Sequence, residues 1–416
     1  MVKTLRVLYA AGPGDVLGTY KYWVTGQDDP LQVSVTYSGQ FYDACKALNA
    51  QAYVISYCGD RQLLQEEQFT IEHRPKPLTK ASGLLYHVRE LWYGLGLIAT
   101  AIRFRANVAL VSDGTTHWFV LSLLSWLGVQ VIPSVHCVLW RQNIPQKVTE
   151  KWLLRLSRNL FTKNCVASLA VSDDISEQIK DLTSGQHKPI LRFSPLYRKT
   201  QFEGISRPDK NCSPFRVLFV GRIETVKGVF DLLEIAKRFV SEGIENITFD
   251  LCGTGSELES LRLAAKEAGL DPLFVCHGHC NKSRMREMFS QSHVVIVPTR
   301  TEFAEGFNKV VAEGILSGRP VVTSSVCPSL APLQKAIVEV PPNDVKSYGD
   351  ALLKLYNERE FYEEKCEGCL ELQKQFYDPS RSWGAKLQSI FVAIQEKREL
   401  SEYLDSKQLN SSTIEY

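Results

Sequence analysis

The sequence lacks a strong charge of either sign. Its 416 residues carry 48 Lys and Arg against 46 Asp and Glu, which gives a net charge of +2. Because no global positive field would attract a polyanion, the composition argues against nucleic acid as a partner. The first ten residues, MVKTLRVLYA, also lack a long apolar run and a small-residue cleavage site. They do not look like a signal peptide, so we expect a cytoplasmic protein.

The cysteines lack the even number and dense spacing of a disulfide framework. Eleven are scattered over the chain, which favours reduced thiols. The segment Cys276–Cys280 reads CHGHC, and Cys366 and Cys369 form C-x-x-C, so one alternative is a zinc site. However, CHGHC ends a strand-like run, where successive side chains point to opposite faces and cannot all reach one ion. We therefore expect no metal, and we expect this turn to line the ligand-binding edge of a sheet.

No long hydrophobic run is free of polar interruptions. Trp118–Trp140 contains no Asp, Glu, Lys or Arg and is long enough to span a membrane. Several polar residues interrupt it, however, and Gly128 separates the helix-like HWFVLSLLSWL from the strand-like VQVIPSV. We interpret this segment as one buried strand-helix-strand step.

The length and the apolar periodicity predict two domains of one class. A chain of 416 residues with 44% hydrophobic content is too long for one ordinary core. Short apolar runs that alternate with helix-like segments are typical of doubly wound α/β sheets of parallel strands. The polar, proline-containing segment 196–214 predicts a linker. We expect a first domain at 1–195, a second at 215–379 and a polar tail at 405–416.

The stretch Thr301–Val322 carries the most specific signal. It connects two strand-like runs, so its loop should lie at the carboxyl edge of a parallel sheet, where α/β folds bind ligands. Glu305 would lie in the loop and Glu313 about two turns into the following helix. That helix would start at Phe307–Lys309, and its N-terminal N–H groups would attract an anion such as a diphosphate. The pattern predicts a phosphorylated, hydroxyl-rich ligand.

These motifs resemble a known enzyme family. The sequences EGFNKVVAE, SGRPVV and VGRIETVKGVFDLLEIA are similar to those of the retaining, nucleotide-sugar-dependent glycosyltransferases of family 4. The resemblance implies the GT-B fold, in which two Rossmann-like doubly wound parallel-sheet domains face each other across a cleft. It also implies a terminal helix, at about 380–404, that returns to the first domain. No cofactor is implied besides the donor substrate, a UDP- or GDP-sugar, and the acceptor stays unknown.

The resemblance also implies roles for individual residues. Arg222 and Lys227 would neutralise the donor diphosphate, while Glu313 would accept hydrogen bonds from the ribose. Glu305 would reach the hexose, but Glu302 lies close enough in the sequence to be a rival. Asn308 departs from the family, which most often has glycine there. The other residues implied at the donor site are His136, Gly221, Gly278, His279, Gly306, Phe307, Asn308 and Lys309.

A glycine-rich loop near the N-terminus leaves two alternatives open. Gly12–Gly18 imitates a dinucleotide fingerprint, but its last glycine is misplaced and the next strand lacks a terminal acid. Gly12 and Gly14 therefore compete with Ser38 and Gly39 for the cleft loop of the first domain. An NAD-dependent oxidoreductase is one rival function. A nucleotide-sugar-binding pseudoenzyme is another.

The segment 145–163 is locally basic. Arg141 to Lys163 contains six basic residues and one acid, Glu150. A helix starting at Pro145 would place cations on one face, with Trp152, Leu153, Leu156 and Leu160 on another. One interpretation is that the basic face is merely solvated. The other is a peripheral contact with an anionic membrane.

Overall fold

Short runs of buried apolar residues form the strands that the sequence predicts. The computed structural model describes residues 4–78, 81–206 and 213–404. The chain forms two compact units. The first takes the described residues of Met1–Leu139, Gln146–Leu196 and Pro379–Tyr416, and the second takes Trp140–Pro145 and those of Tyr197–Asp378. The predicted tail 405–416 and part of the predicted linker, 207–212, lie outside the described residues.

The first unit is built on an eight-stranded sheet. Its strands are β1 (Arg6–Ala10), β2 (Gln51–Ser56), β3 (Gln62–Gln65), β4 (Phe69–His73), β5 (Val108–Ser112), β6 (Gln130–Val135), β7 (Ser168–Ala170) and β8 (Ile190–Arg192). Its first six helices are α1 (Val16–Val24), α2 (Tyr37–Ala47), α3 (Gly83–Phe104), α4 (Ser122–Trp126), α5 (Val148–Asn159) and α6 (Asp173–Thr183). The strand order is β3-β4-β2-β1-β5-β6-β7-β8.

This sheet is parallel except at one edge. All neighbouring strands run parallel apart from β3, which pairs antiparallel with β4. Strand β3 is hard to recognise in the sequence because QLLQ shows no alternation, and Leu63 is exposed on this edge strand. Strand β8 is equally hard to recognise, since its three residues are too few for a period to show. The interpretation of Trp118–Trp140 is confirmed: a helical turn at Trp118–Leu121 and α4 lead into buried β6.

The second unit repeats the architecture with six parallel strands. They are β9 (Phe215–Val220), β10 (Ile247–Cys252), β11 (Phe274–Gly278), β12 (Val294–Val297), β13 (Val321–Ser324) and β14 (Ile337–Val340). The helices are α7 (Val229–Ser241), α8 (Leu258–Glu267), α9 (Lys282–Gln291), α10 (Lys309–Leu316), α11 (Val345–Asn357), α12 (Arg359–Leu372) and α13 (Lys374–Tyr377). The strand order β11-β10-β9-β12-β13-β14 is that of a Rossmann fold.

The predicted fold class, two doubly wound α/β units, is therefore confirmed. The helices also follow the apolar period of the sequence. In α7, for example, the core of the second unit buries Val229, Leu232, Leu233 and Ala236. Helix α14 (Trp383–Glu396) follows Pro379 and belongs to the first unit, where it packs against α2. No helix in the described ranges is long and apolar enough to cross a membrane.

Candidate functional site

The second sheet has a switch point between β9 and β12. These strands are neighbours, but the chain leaves β9 toward β10 and leaves β12 toward β13, so the connections diverge. The loop after β9 carries the predicted cations, and the loop after β12 carries Glu302 and Glu305. The carboxyl edge of such a switch point is the standard ligand site of open α/β sheets.

Lys227 and Glu305 meet at this edge. The Lys227 Nζ donates to Glu305 Oε2 over 3.0 Å, and both side chains are largely buried. Asn308 Nδ2 donates to the same carboxylate oxygen over 3.1 Å. The Lys227 ammonium also lies 3.5 Å from the ring centroid of Phe303, a cation-π contact. Phe303 was not predicted from the sequence, because only the fold brings this ring to the lysine.

The two loops are tied together by backbone contacts. Gly228 has φ +75°, and a Cβ at this position would come 2.1 Å from the Pro298 carbonyl oxygen, so only glycine fits here. The Arg300 backbone N–H donates to the Val226 carbonyl over 3.0 Å. The Arg300 guanidinium binds both carboxylate oxygens of Asp231, at 2.8 and 3.0 Å. These contacts hold Lys227 against the loop that carries Glu305.

Glu302 and Arg222 occupy more open positions. Glu302 is exposed, and its carboxylate lies 3.7 Å from Arg300 rather than against Lys227. Arg222 pairs with Glu224 over 2.7 Å, its side chain is more than half exposed, and its guanidinium lies 5.5 Å from the Phe303 ring. The structure thus brings Lys227 together with Glu305 and not with Glu302.

The helix after this loop begins later than predicted. Asn308 is the N-cap of α10, and its side-chain oxygen accepts from the Val310 N–H over 3.0 Å. Phe307 and Asn308 therefore precede the helix instead of starting it, because an asparagine side chain competes with helical backbone bonding and favours the cap. The helix begins at Lys309, so Glu313 lies about one turn into it and not two. Gly306 is buried in the preceding loop.

Glu313 is a buried carboxyl group. Burial raises the pKa of Glu313 to about 7, although the nearby Lys309 opposes the shift. Burial lowers the pKa of Lys309, and Glu313 opposes that shift in turn. A buried carboxylate gains from any hydroxyl that donates to it, because hydrogen bonding favours its charged form.

The loops after β9, β10 and β11 are joined along the same edge. Gly221 N donates to the Cys252 carbonyl over 3.0 Å, and Gly253 N donates to Gly278 O over 2.8 Å. Gly278 has φ +72° and His279 is exposed. The predicted residues Gly221 and Gly278 are therefore close to one another at the carboxyl edge.

The CHGHC segment does not gather its side chains around one point. His277 Nε2 lies 2.7 Å from Asp250 Oδ1, whereas Cys280 contacts Cys252. Cys366 and Cys369 are buried on α12, which packs against α10 and α11. Over the described ranges, no group of three or more His, Cys, Asp or Glu side chains has the arrangement of a metal site.

The first unit places His136 immediately after β6. Its backbone N–H donates to Asp113 Oδ1 over 3.0 Å, and its ring packs on Tyr37 with centroids 4.6 Å apart. His136 Nε2 lies 2.8 Å from the Ser134 hydroxyl, which also accepts from Trp383 Nε1 over 2.8 Å. The Ser134 hydroxyl can donate one hydrogen bond and accept two, so it can serve both the Trp383 N–H and the His136 ring.

Two of these residues, Asp113 and Trp383, were not predicted from the sequence. Asp113 follows β5, and burial raises its pKa to about 6, while hydrogen bonds from His136 and Cys137 oppose the shift. The signal that could have found it is its place after a buried strand at the switch point between β1 and β5. Trp383 comes from α14, and no local pattern links it to β6.

The glycine-rich loop leads into α1. Gly12 has φ +80°, and its carbonyl accepts from Tyr57 N over 3.0 Å. Gly14 has open space where a Cβ would lie. Asp15 caps α1 by accepting from Gly18 N over 2.7 Å, so a carboxylate of the chain occupies the helix N-terminus that a dinucleotide pyrophosphate would need.

The competing pair Ser38 and Gly39 forms the first turn of α2. Gly39 N donates to the Thr36 side chain over 3.1 Å, and Thr36 is the N-cap of that helix. The Ser38 side chain contacts the Tyr9 hydroxyl. Both residues therefore have structural partners, and so does the Gly12 loop.

The basic helix also differs from its prediction. It begins at Val148, so Pro145 does not start it, and the backbone N–H of the N-cap residue Lys147 donates to Glu150 Oε2 over 3.0 Å. On the apolar side of this helix, Trp152 and Leu156 are exposed, whereas Leu160 is buried. Arg158 is half-buried and donates to Thr183 O over 3.1 Å. The exposed cations on or beside α5 are Lys147, Lys151, Arg155 and Lys163.

One family model matches part of the chain. Residues 214–358, which run from the start of β9 to the end of α11, match the model described as glycosyl transferases group 1. This segment contains Lys227, Glu305 and Glu313. No curated protein matches the chain by sequence.

Solved structures extend the likeness over both units. A sucrose-phosphate synthase from Thermosynechococcus elongatus is similar with a TM-score of 0.68 and 13% identity, over 94% of this chain and 99% of that one. For a UDP-forming trehalose-phosphate synthase from Burkholderia xenovorans the TM-score is 0.67 and the identity 12%, over 95% of this chain and 99% of that one. For Anabaena HepE in complex with UDP and glucose the TM-score is 0.61 and the identity 12%, over 94% of this chain and 99% of that one. At these identities the likeness shows the fold, which is GT-B.

Proposed function

We propose that this protein is a retaining glycosyltransferase of family 4 that moves a hexose-type sugar from a nucleoside diphosphate sugar to an acceptor. The observation that carries the proposal is the Lys227–Glu305 ion pair at the switch point of the second sheet. It lies within the segment similar to glycosyl transferases group 1. The complex of HepE with UDP and glucose supports a UDP-sugar donor, and a GDP-sugar is the alternative.

In this proposal the bound donor breaks the Lys227–Glu305 ion pair and gives each residue a new partner. The diphosphate takes the place of Glu305 at Lys227, and the released carboxylate accepts hydrogen bonds from hexose hydroxyls. Arg222 adds a second cation, while the buried Glu313 accepts from the ribose hydroxyls. Because negative charge grows on the leaving diphosphate, Lys227 stabilises the transition state more than the ground state.

The remaining roles follow the same scheme. His136 contacts the donor sugar, and the Phe307–Lys309 segment, with Gly278 and His279, borders the nucleotide. No covalent nucleophile is required, because the leaving phosphate oxygen takes the proton of the acceptor hydroxyl. The reaction needs no metal or other cofactor.

Thermal stability measured with a panel of UDP-, GDP- and ADP-sugars and NAD tests the donor class. A ligand raises the melting temperature only if it binds the native state, so we expect a shift with one nucleotide-sugar class. A shift with NAD alone would contradict the proposal and favour an oxidoreductase, although Asp15 at the α1 N-terminus argues against that. Product analysis then separates an enzyme from a nucleotide-sugar-binding pseudoenzyme, which would release no nucleotide.

We also propose that the protein is cytoplasmic and touches an anionic membrane through segment 145–163. The exposed cations of α5 support this contact, since each basic residue near such a surface adds on the order of 1 kcal/mol. Sedimentation with anionic and neutral vesicles at low salt tests it. Lys151→Gln with Arg155→Gln should weaken binding to the anionic vesicles. Equal absence of binding to both vesicle types would contradict it.

A further inference from the structure

The long helix α3 exposes a row of apolar residues along its outer face. Every exposed side chain from Leu84 through Ile102 is aliphatic or aromatic. Leu84 is 79% exposed, Trp92 is 71% exposed and Leu95 is 52% exposed. We call Leu84, Leu85, Val88, Leu91, Trp92 and Leu95 the α3 apolar face.

Two of the three charged residues of α3 are withdrawn from water, and the third, Arg103, is exposed near its C-terminal end. Glu90 is buried and binds Lys76 Nζ over 2.6 Å and Arg89 over 2.9 Å. A helix whose outer face met only water would carry mostly polar or charged residues there. A continuous exposed apolar stripe of this kind marks an interaction surface.

Two further helices on the same side of the sheet expose apolar residues. Strands β4, β5, β6 and β7 progress in one direction across the sheet, so right-handed crossovers place α3, α4 and α5 on one side. The contacts agree, because α3 and α5 both pack against the helical turn Trp118–Leu121. The exposed large side chains of α4 and α5 include two more tryptophans, Trp126 and Trp152, with Val148 and Leu156 beside the second.

The charge around these residues identifies the partner. The exposed cations of α5 lie among its exposed apolar side chains, and segment 141–163 contains a single acid. A twofold dimer through this side would bring the same basic helix from each copy toward one interface, which costs energy. An anionic lipid surface instead complements the cations and accepts the apolar side chains.

We infer that the α3 apolar face inserts into the interfacial layer of an anionic membrane, with α3 lying parallel to the bilayer plane. Interfacial helices of this kind bury an apolar face at the boundary of the headgroups and acyl chains. This inference adds an apolar anchor to the electrostatic contact proposed for α5, and it does not depend on the transfer reaction. It gives the two helices separable roles, because salt screens charges and leaves apolar insertion intact.

The test is sedimentation of the full chain with vesicles of phosphatidylcholine alone or mixed with phosphatidylglycerol. Leu84→Gln with Trp92→Gln removes two exposed members of the face, so the melting temperature should not change. The matched control, Leu263→Gln with Leu370→Gln, removes two exposed leucines of the second unit. Sedimentation is measured at low salt and at about 1 M salt, where the Debye length is about 3 Å.

We expect the wild type and the control to stay bound to anionic vesicles at high salt, while the α3 variant loses at least about tenfold in partitioning. Three results would overturn the inference: no binding to any vesicle, equal binding by the α3 variant and its control, or a wild-type dimer in solution that the α3 variant dissociates. The last result would assign the face to a second copy of the chain. Turnover of a nucleotide sugar is measured separately, so none of these results bears on the proposed transfer reaction.

Discussion

At the scale of single residues, the buried ion pair explains how one site could hold both a diphosphate and a sugar. Lys227 and Glu305 are largely removed from water, so each would be costly to leave without a partner. A donor that supplies phosphate oxygens to the lysine and hydroxyls to the carboxylate replaces both lost interactions at once. This exchange predicts that removal of Lys227 weakens the binding of a nucleotide without its sugar, whereas removal of Glu305 strengthens it.

Removing the lysine should damage catalysis. Lys227→Ala should lower kcat/KM by about tenfold to a hundredfold, or roughly 1.4 to 2.7 kcal/mol, because the leaving-group charge loses its nearest cation. Arg222→Ala should lower it as well, but less, since this side chain is more exposed. The control is Lys237→Ala, which removes an exposed lysine paired with Glu234 on α7. Wild-type turnover in Lys227→Ala would refute its role.

Glu305→Gln should separate nucleotide binding from transfer. Removing the competing carboxylate should strengthen the binding of UDP or GDP alone, while transfer from the sugar nucleotide slows by at least about tenfold. Calorimetry and initial rates measure the two effects. Glu302→Gln is the control and should change neither, because Glu302 is not bound to Lys227. The opposite ranking of the two variants would make Glu302 the sugar ligand.

Glu313 predicts a pH dependence of donor binding. Its pKa of about 7 must fall when ribose hydroxyls bind, since they donate to the ionised form. Nucleotide affinity should therefore rise with pH and be about tenfold higher at about pH 8 than at about pH 6. Titration of the Glu313→Gln variant over the same pH range corrects for ionisation of the phosphates. If nucleotide affinity changed with pH to the same extent in the variant and the wild type, this role of Glu313 would be contradicted.

At the scale of elements, the local patterns predicted most strands and the switch-point site but not the contacts between distant segments. Buried parallel strands such as β5 read as continuous apolar runs, and the spacing of Glu305 and Glu313 lies within one loop and helix, so both were visible in the sequence. Phe303 beneath Lys227 and Trp383 beside Ser134 were not, because folding joins segments far apart in the chain. The outward face of α3 was also hidden, since its exposure depends on what packs over the helix.

One element-scale contact predicts a positioning role for α14. Trp383→Phe keeps an aromatic ring against Tyr9 and Tyr37 but removes the N–H that binds Ser134. The Ser134 hydroxyl then loses one of its two ring partners, so its hydrogen bond with His136 Nε2 is no longer held in a fixed direction. We expect kcat to fall about fivefold, in line with about 1 kcal/mol for one hydrogen bond, with an altered pH profile and an unchanged donor KM. Trp118→Phe serves as control, and equal pH profiles for both variants would exclude the role.

At the scale of the whole molecule, the near-neutral net charge makes the local placement of Lys227 and Arg222 more informative about function. With a net charge of +2, the protein has no general attraction for a diphosphate, so local arrangement must supply it. Both sheets follow the doubly wound plan, and in each the predicted site residues follow strands at the carboxyl edge. The sequence could predict this plan because it depends on repeated short-range patterns, whereas the identity of sugar and acceptor depends on atomic positions in the pocket.

The two cations also predict how the whole protein responds to chelation of metal ions. No Asp-x-Asp pair occurs in the 416 residues, so the chain lacks the carboxylate pair with which many sugar-nucleotide sites hold a divalent cation. Lys227 and Arg222 would take over charge neutralisation, and their charge does not depend on added metal. Initial rates should therefore be unchanged after treatment with EDTA, measured beside a metal-dependent glycosyltransferase as positive control. Loss of activity that Mn²⁺ or Mg²⁺ restores would show that the diphosphate needs a metal ion, and restoration by Zn²⁺ alone would implicate the cysteine and histidine side chains of Cys276–Cys280.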